Sequence, residues 1–412
     1  MEDSQIRTIL LGILIPFLII LTIFVLLFIF GKRIPFVQKF VGKFRKTSPN
    51  EPTQVEAPPE RDGSHFPYEY SETHSLTYLS EIPAPIPIAE FASHSEGLTT
   101  SNEFPKLFDI FDNSTATQKF QVESHLTQVV GEKYKDRNRY GNVLPYYQSL
   151  VVLGHPWAEI RADPKPYYSE EDLAMHYVNA CYVRRPIYNA DGRALPALYS
   201  TDPEYIATQA PLINTIDDFL LMVHQQRSPL IIMLCEPKEK ELGKYIQYWP
   251  NDEKQTFTSP RWTVQVLKIS EHTENSVCVR QLRIILSETQ EPWDVTHYQF
   301  LAWEDKRQPE IEPFYSFLKM HMDFSEAHPV GEKFGPTIIH CSAGVGRTGT
   351  LMTARFVLEG LRTNAQKVDI IGTIMAIRKH RVMLVQTPAQ LQFLFEFICY
   401  CINEENIHSL SQ

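Results

Sequence analysis

What this 412-residue sequence most plainly lacks is a metal-binding pattern. Its six cysteines (Cys181, Cys235, Cys278, Cys341, Cys399 and Cys401) show no zinc-ligand spacing, so no structural zinc site is expected. It also lacks an excess of positive charge. Its 39 Lys and Arg face 49 Asp and Glu, a formal net charge of -10, which argues against a nucleic-acid partner. That balance leaves the local potential of any pocket open. No internal repeat is present, so a tandem second copy of a catalytic domain is not expected. The length allows two or three domains, and 43% hydrophobic with 12% aromatic residues supports a sizeable core.

Residues 8–31 (TILLGILIPFLIILTIFVLLFIFG) lack charge altogether. About 20 apolar residues cross a bilayer core, so a transmembrane helix is expected here. A cleaved signal peptide has an apolar region of only about 7–15 residues and a small-residue cleavage site, and neither fits well. Lys32, Arg33, Lys39, Lys43, Arg45 and Lys46 follow the stretch, whereas Glu2, Asp3 and Arg7 precede it. The positive-inside rule therefore puts the C-terminal side in the cytoplasm. In the basic segment 32–46, Phe36, Phe40 and Phe44 recur at i, i+4, i+8. That pattern suits an interfacial helix on an anionic leaflet, and a plain basic stop after a span suits the composition equally. Residues 47–101, rich in Pro, Ser, Thr and Glu without a sustained period, read as a flexible linker. Residues 102–407 are left as the folded domain.

Within that domain, residues 336–350 read PTIIHCSAGVGRTGT. An apolar strand-like piece (Thr337, Ile338, Ile339) runs into His340 and Cys341, then a small-residue loop, then Arg347 and Thr348. A helix-period run follows, in which Leu351, Ala354, Leu358 and Leu361 share a face. Strand, tight loop and helix N-terminus together make an anion cradle, because free N–H groups and the positive helix end converge. Such a site favours a thiolate at Cys341. Arg347 offers a planar fork matching two phosphate oxygens. Gly344 and Gly346 let the backbone approach the anion. The Thr348 hydroxyl can support the sulfur, and His340 is expected to orient the loop through a hydrogen bond. A lone cysteine is more often a small buried hydrophobe, but this one sits in a polar, Gly-rich loop. A nucleotide-binding loop is excluded by the missing Lys.

HCSAGVGRTG resembles the signature of the protein tyrosine phosphatases, the cysteine-based branch specific for phosphotyrosine. The resemblance runs over roughly residues 102–407 in the family's order. Asn138-Arg139-Tyr140-Gly141-Asn142 is similar to its substrate loop, which implies that Tyr140 stacks on the phosphotyrosine ring and Asn142 contacts the substrate backbone. KYIQYWP, beginning at Lys244, resembles its Lys-containing loop, with Tyr245 where a Cys is usual. RVMLVQTPAQ, beginning at Arg381, resembles the loop whose Gln positions water, a role that falls to Gln386, with Gln390 as a second member. The phosphate loop would comprise Ser342, Ala343, Gly344, Val345 and Gly346 between Cys341 and Arg347. The implied architecture is an α/β (α+β) fold: a twisted mixed sheet flanked by helices, with one N-terminal transmembrane helix. The implied activity is hydrolysis of phosphotyrosine in cytosolic proteins by a single-domain, membrane-anchored enzyme working without cofactor. Its partners would be phosphotyrosine-containing proteins and the membrane; oligomeric state stays open.

The family's acid loop reads Trp-Pro-Asp. Here the stretch is Trp303-Glu304-Asp305-Lys306-Arg307-Gln308-Pro309, so Asp305 takes the acid's place. Glu304 replaces the central Pro, which frees the backbone and makes a closed loop entropically costlier. Lys306 favours an ionised Asp305, and Glu304 pushes the other way. A phosphotyrosine-binding pseudophosphatase with weak or no turnover is the alternative reading.

Overall fold

The computed structural model describes residues 83–407, except 111, 114–132, 163–167, 273–275, 306 and 364–365. The expected transmembrane helix (8–31), the basic segment (32–46) and the first part of the linker lie outside the described residues. Among the described residues, no helix is long and apolar enough to cross a membrane.

A nine-stranded mixed sheet forms the centre. In spatial order its strands are Leu150–Val152, Tyr177–Val183, Tyr205–Thr208, Thr337–His340, Leu230–Met233, Pro292–Phe300, Val277–Leu286, Trp262–His272 and Thr256–Thr258. The four middle strands, from Tyr205–Thr208 to Pro292–Phe300, run parallel, and every other pairing is antiparallel. Burial explains this arrangement. Leu230–Met233 and Thr337–His340 are buried at every residue, as parallel strands covered on both faces must be. The long outer strand Trp262–His272 instead alternates buried and half-buried residues over its first half.

Helices cover both faces. Tyr205 and Thr337 are in register and share one face, where Tyr205 meets His321 of helix Ile311–Ala327 and Phe356 of helix Gly346–Arg362. His340 points to the other face and meets Phe219 of helix Ile216–Gln225. Helix Gly346–Arg362 was expected to bury one stripe. It is buried almost all round, because the sheet lies on one side and helices Ile370–Arg378 and Pro388–Glu404 pack on the other. Helix Pro388–Glu404 begins where Thr387 caps the Gln390 N–H, with Pro388 at its first turn.

The expected domain boundary at residue 102 needs correction, because the fold begins earlier. Ile86–Pro87 pairs antiparallel with Lys367–Val368, and a helix follows at Ile88–Thr100. Ile88, Phe91, Ser95 and Leu98 form its inward stripe, and Phe91 stacks on Phe395 at 5.4 Å. Proline and serine in the composition concealed this period, with Ser95 sitting in the middle of the apolar stripe. Phe91 is wholly buried. Phe91→Ala should therefore lower unfolding free energy by roughly 3–5 kcal/mol in denaturant titration, whereas a linker residue would change it negligibly.

Candidate active site

Cys341 follows the central parallel strand at its C-terminal end, where open α/β sheets collect ligands. The loop from Ser342 to Gly346 then turns into helix Gly346–Arg362. Gly344 adopts φ +70°, and a Cβ there would lie 1.9 Å from the Thr208 carbonyl oxygen. At Gly346 a Cβ would meet the Gln390 amide at 2.8 Å. Both glycines are thus required by the neighbouring backbone and side chain on their outer faces, in addition to any approach of an anion. Val345 is fully buried in a small cluster with Val143, Tyr146 and Val382, against which Tyr140 and Ala343 pack.

Burial pushes the Cys341 thiol up, but opposing influences outweigh it. The Arg347 charge, the Thr348 hydroxyl and N–H and the Val345 N–H hold the thiol below its ordinary value. The Gly344 N–H also points at Sγ, at 3.3 Å. The buried Thr348 hydroxyl has no hydrogen-bond partner of good geometry among the described residues, and its influence is felt on the neighbouring thiol.

Arg347 is held from behind. Its Nη1 and Nη2 donate to the two carboxylate oxygens of Glu239 at 2.6 and 2.7 Å, and both residues are buried. Glu239 lies in the tight turn Pro237–Lys240, where its Oε1 also accepts the Glu236 N–H at 2.9 Å. Burial alone would lower the guanidinium's affinity for its proton; the Glu239 bonds and the adjacent thiols raise it instead.

His340 is hydrogen-bonded through both ring nitrogens. The Cys341 carbonyl can only accept, so His340 Nδ1 donates to it at 3.1 Å and Nε2 accepts from the Tyr248 hydroxyl at 2.9 Å. The Tyr248 oxygen in turn accepts from His297 Nε2 at 3.1 Å. Burial pushes His340 down to about 4, so the ring is neutral near pH 7.

The acid loop lies over this centre. Arg347 Nη1 donates to the Trp303 carbonyl at 3.1 Å, and Asp305 reaches Arg347 Nη2 at 3.6 Å and Lys244 Nζ at 3.5 Å. Trp303 is fully buried against Phe314 and Phe393, and its indole N–H donates to the Arg307 carbonyl. Glu304, expected to push on Asp305, is itself neutralised: Lys238 bonds to it at 2.8 Å and Arg307 at 3.0 Å, holding its carboxyl below the usual range. The Lys306 side chain lies outside the described residues.

Ser342 Oγ donates to the Lys244 carbonyl at 2.9 Å, so the Tyr140 hydroxyl donates to Ser342 Oγ at 3.1 Å. The expected ring platform is thereby tied to the phosphate loop. Asn142 is exposed at the rim. Gln386 is exposed, and its N–H donates to Gln390 Oε1 at 2.7 Å. Tyr245, where a Cys was expected by resemblance, stacks parallel to Trp249 and donates to the Pro237 carbonyl at 3.3 Å.

A cysteine with a lowered thiol, an arginine paired with Glu239, Asp305 and Tyr140 are thus gathered around one loop. A family profile described as protein-tyrosine phosphatase matches residues 134–400. The chain belongs to the protein-tyrosine phosphatase family. Receptor-type tyrosine-protein phosphatase S of Gallus gallus is 33% identical over 313 residues, covering 76% of this chain and 18% of the relative. Tyrosine-protein phosphatase Lar-like of Caenorhabditis elegans is 31% identical over 354 residues, covering 82% of this chain and 14% of the relative. The chain therefore spans less than a fifth of the length of these relatives.

Three supporting residues had no role in the sequence reading. Glu239 was hidden because an acidic residue in a Lys-rich turn looks solvated. Arg381 is fully buried and donates to the Gly344 carbonyl (2.8 Å), the Ala343 carbonyl (3.0 Å) and Asn179 (2.8 Å), bracing the phosphate loop. Arg139 ties the Tyr140 loop to the carbonyls of Ala210, Pro211 and Gly243. All three act on groups far away in sequence, for which no local signal exists.

The lowered thiol at Cys341 has a measurable consequence. A depressed pKa keeps the thiolate present as pH falls until the folded value is crossed. Iodoacetate labelling of Cys341 should therefore inflect below the ordinary cysteine range, and Arg347→Ala should move that inflection upward. An unchanged inflection would remove Arg347 as the cause.

Proposed function

We propose that the protein is a phosphotyrosine phosphatase acting through a cysteinyl-phosphate intermediate. The observation that carries this reading is Cys341, its thiol lowered chiefly by Arg347, lying beneath a loop that brings Asp305 to 3.6 Å from the same guanidinium. In the first step the Cys341 thiolate attacks phosphorus and the P–O bond to the tyrosyl ring breaks. Arg347 and the N–H groups of residues 342–346 hold the three equatorial oxygens, and Asp305 gives its proton to the departing phenolate. In the second step water positioned by Gln386, with Gln390 beside it, loses a proton to Asp305 and attacks phosphorus, releasing phosphate and Cys341. Thr348 supports the leaving sulfur. Tyr140 stacks on the substrate ring, Asn142 contacts the substrate backbone, and Lys244 holds Asp305 in place.

Turnover of a phosphotyrosyl peptide, with a phosphoseryl peptide as control, tests the reading. Cys341→Ser should abolish turnover while retaining binding, and Asp305→Asn should lower kcat by roughly 100- to 10,000-fold. Folded wild-type protein that binds the peptide without hydrolysing it would instead be a phosphotyrosine-binding module.

We further propose a single-pass membrane protein, with residues 8–31 as the span, 32–46 as a basic juxtamembrane segment, a connecting segment, and a cytoplasmic phosphatase domain. The uncharged stretch followed by a basic cluster supports this, as does the term "receptor-type" in a relative's name. Protease added outside intact cells should leave the domain uncut; cleavage there would reverse the orientation.

A further inference from the structure

The acid loop departs from its family's pattern at Glu304, and the structure shows where that carboxylate goes. Its Oε1 accepts from Lys238 Nζ at 2.8 Å, and its Oε2 meets Arg307 Nε at 3.0 Å. Lys238 also meets Glu236 Oε2 at 3.0 Å, so four charges of alternating sign run from Glu236 through Lys238 and Glu304 to Arg307. Only the Lys238–Glu304 link in that row crosses from one loop to the other. Lys238 belongs to the turn Pro237–Lys240, whose next residue, Glu239, grips Arg347 from behind. Adjacent residues of one turn therefore hold the phosphate-facing arginine and the loop that carries Asp305.

We propose that Lys238 and Glu304 are positioning residues forming an electrostatic latch that keeps Asp305 over Arg347. The inference rests on the phosphatase reading above and goes beyond it by naming what controls the acid. Without the central proline, the loop backbone has more states to lose on closing. An ion pair across the two loops offsets that loss. The Lys238 and Glu304 side chains are 59% and 48% exposed, so the pair is weak by itself and screened by salt. Closure, and with it proton delivery, becomes sensitive to ionic strength. The oxyanion pocket, built from buried Arg347, Glu239 and backbone amides, does not share that sensitivity.

The test is a cycle on the full chain. Glu304→Gln and Lys238→Met should each lower kcat roughly two- to fivefold with KM for a phosphotyrosyl peptide unchanged. The double variant should be no slower than either single one. Wild-type kcat should fall as salt rises from about 50 to about 500 mM, and both variants should lose that dependence. Multiplying losses, a raised KM alone, or salt dependence retained in the variants would overturn the latch. Hydrogen exchange across residues 301–309 with tungstate bound gives a readout independent of turnover. Protection should drop in both variants, and equal protection in all three proteins would also overturn the proposal. Wild-type protein without turnover would remove the phosphatase reading, while the exchange result would still decide the latch.

Discussion

The site depends on one buried ion pair. Arg347 and Glu239 face each other through two short bonds, with side chains only 5% and 1% exposed. A guanidinium at the floor of a cleft needs compensation before any anion arrives, or its burial would cost several kcal/mol. Glu239 supplies that compensation by accepting from both Nη atoms. The guanidinium's orientation is therefore set in advance. The carbonyl of Trp303 and the carboxylate of Asp305 both approach the same guanidinium, whose charge lowers the thiol at Cys341.

The rest of the fold can be read as support for this pair and its loop. The parallel strands deliver Cys341 and the chain leading to Glu239 side by side, since Leu234 bonds to the His340 carbonyl across them. Arg381 braces the loop from below through two of its carbonyls. Arg378 does the same for the neighbouring glutamine loop, donating to the carbonyls of Leu384 and Val385. Val385 itself stands at φ +61°, an unfavourable conformation for a β-branched residue. The two bonds from Arg378 and the Val385 N–H to the Val345 carbonyl hold it there, immediately before Gln386.

Much of this was legible from the chain alone, for physical reasons. Residues 336–350 combine an apolar strand with a Gly-rich loop, and each local preference agrees with the fold. The mixed sheet followed from the resemblance to the phosphatase family rather than from apolar spacing, which showed the helix face after the loop. What was illegible depended on contacts between distant segments. Glu239 and Arg381 carry charge, so local reasoning assigns them to water, and only tertiary structure buries them. The helix Ile88–Thr100 was obscured by its composition. The consequence of Glu304 for Asp305 could not be derived, because the compensating Lys238 lies in another loop.

The hydrogen-bond row behind the phosphate loop has a bearing on where the site draws its charge. From the Cys341 carbonyl through His340, Tyr248 and His297, every donor direction is fixed by its neighbour, and both rings are too deeply buried to take up a second proton near neutrality. The loop is thus anchored by imidazoles that behave as neutral struts across the physiological range. Its cationic character comes from Arg347, a group that does not titrate in water. Mild acidification therefore leaves both the scaffold's hydrogen-bond geometry and its positive end unchanged.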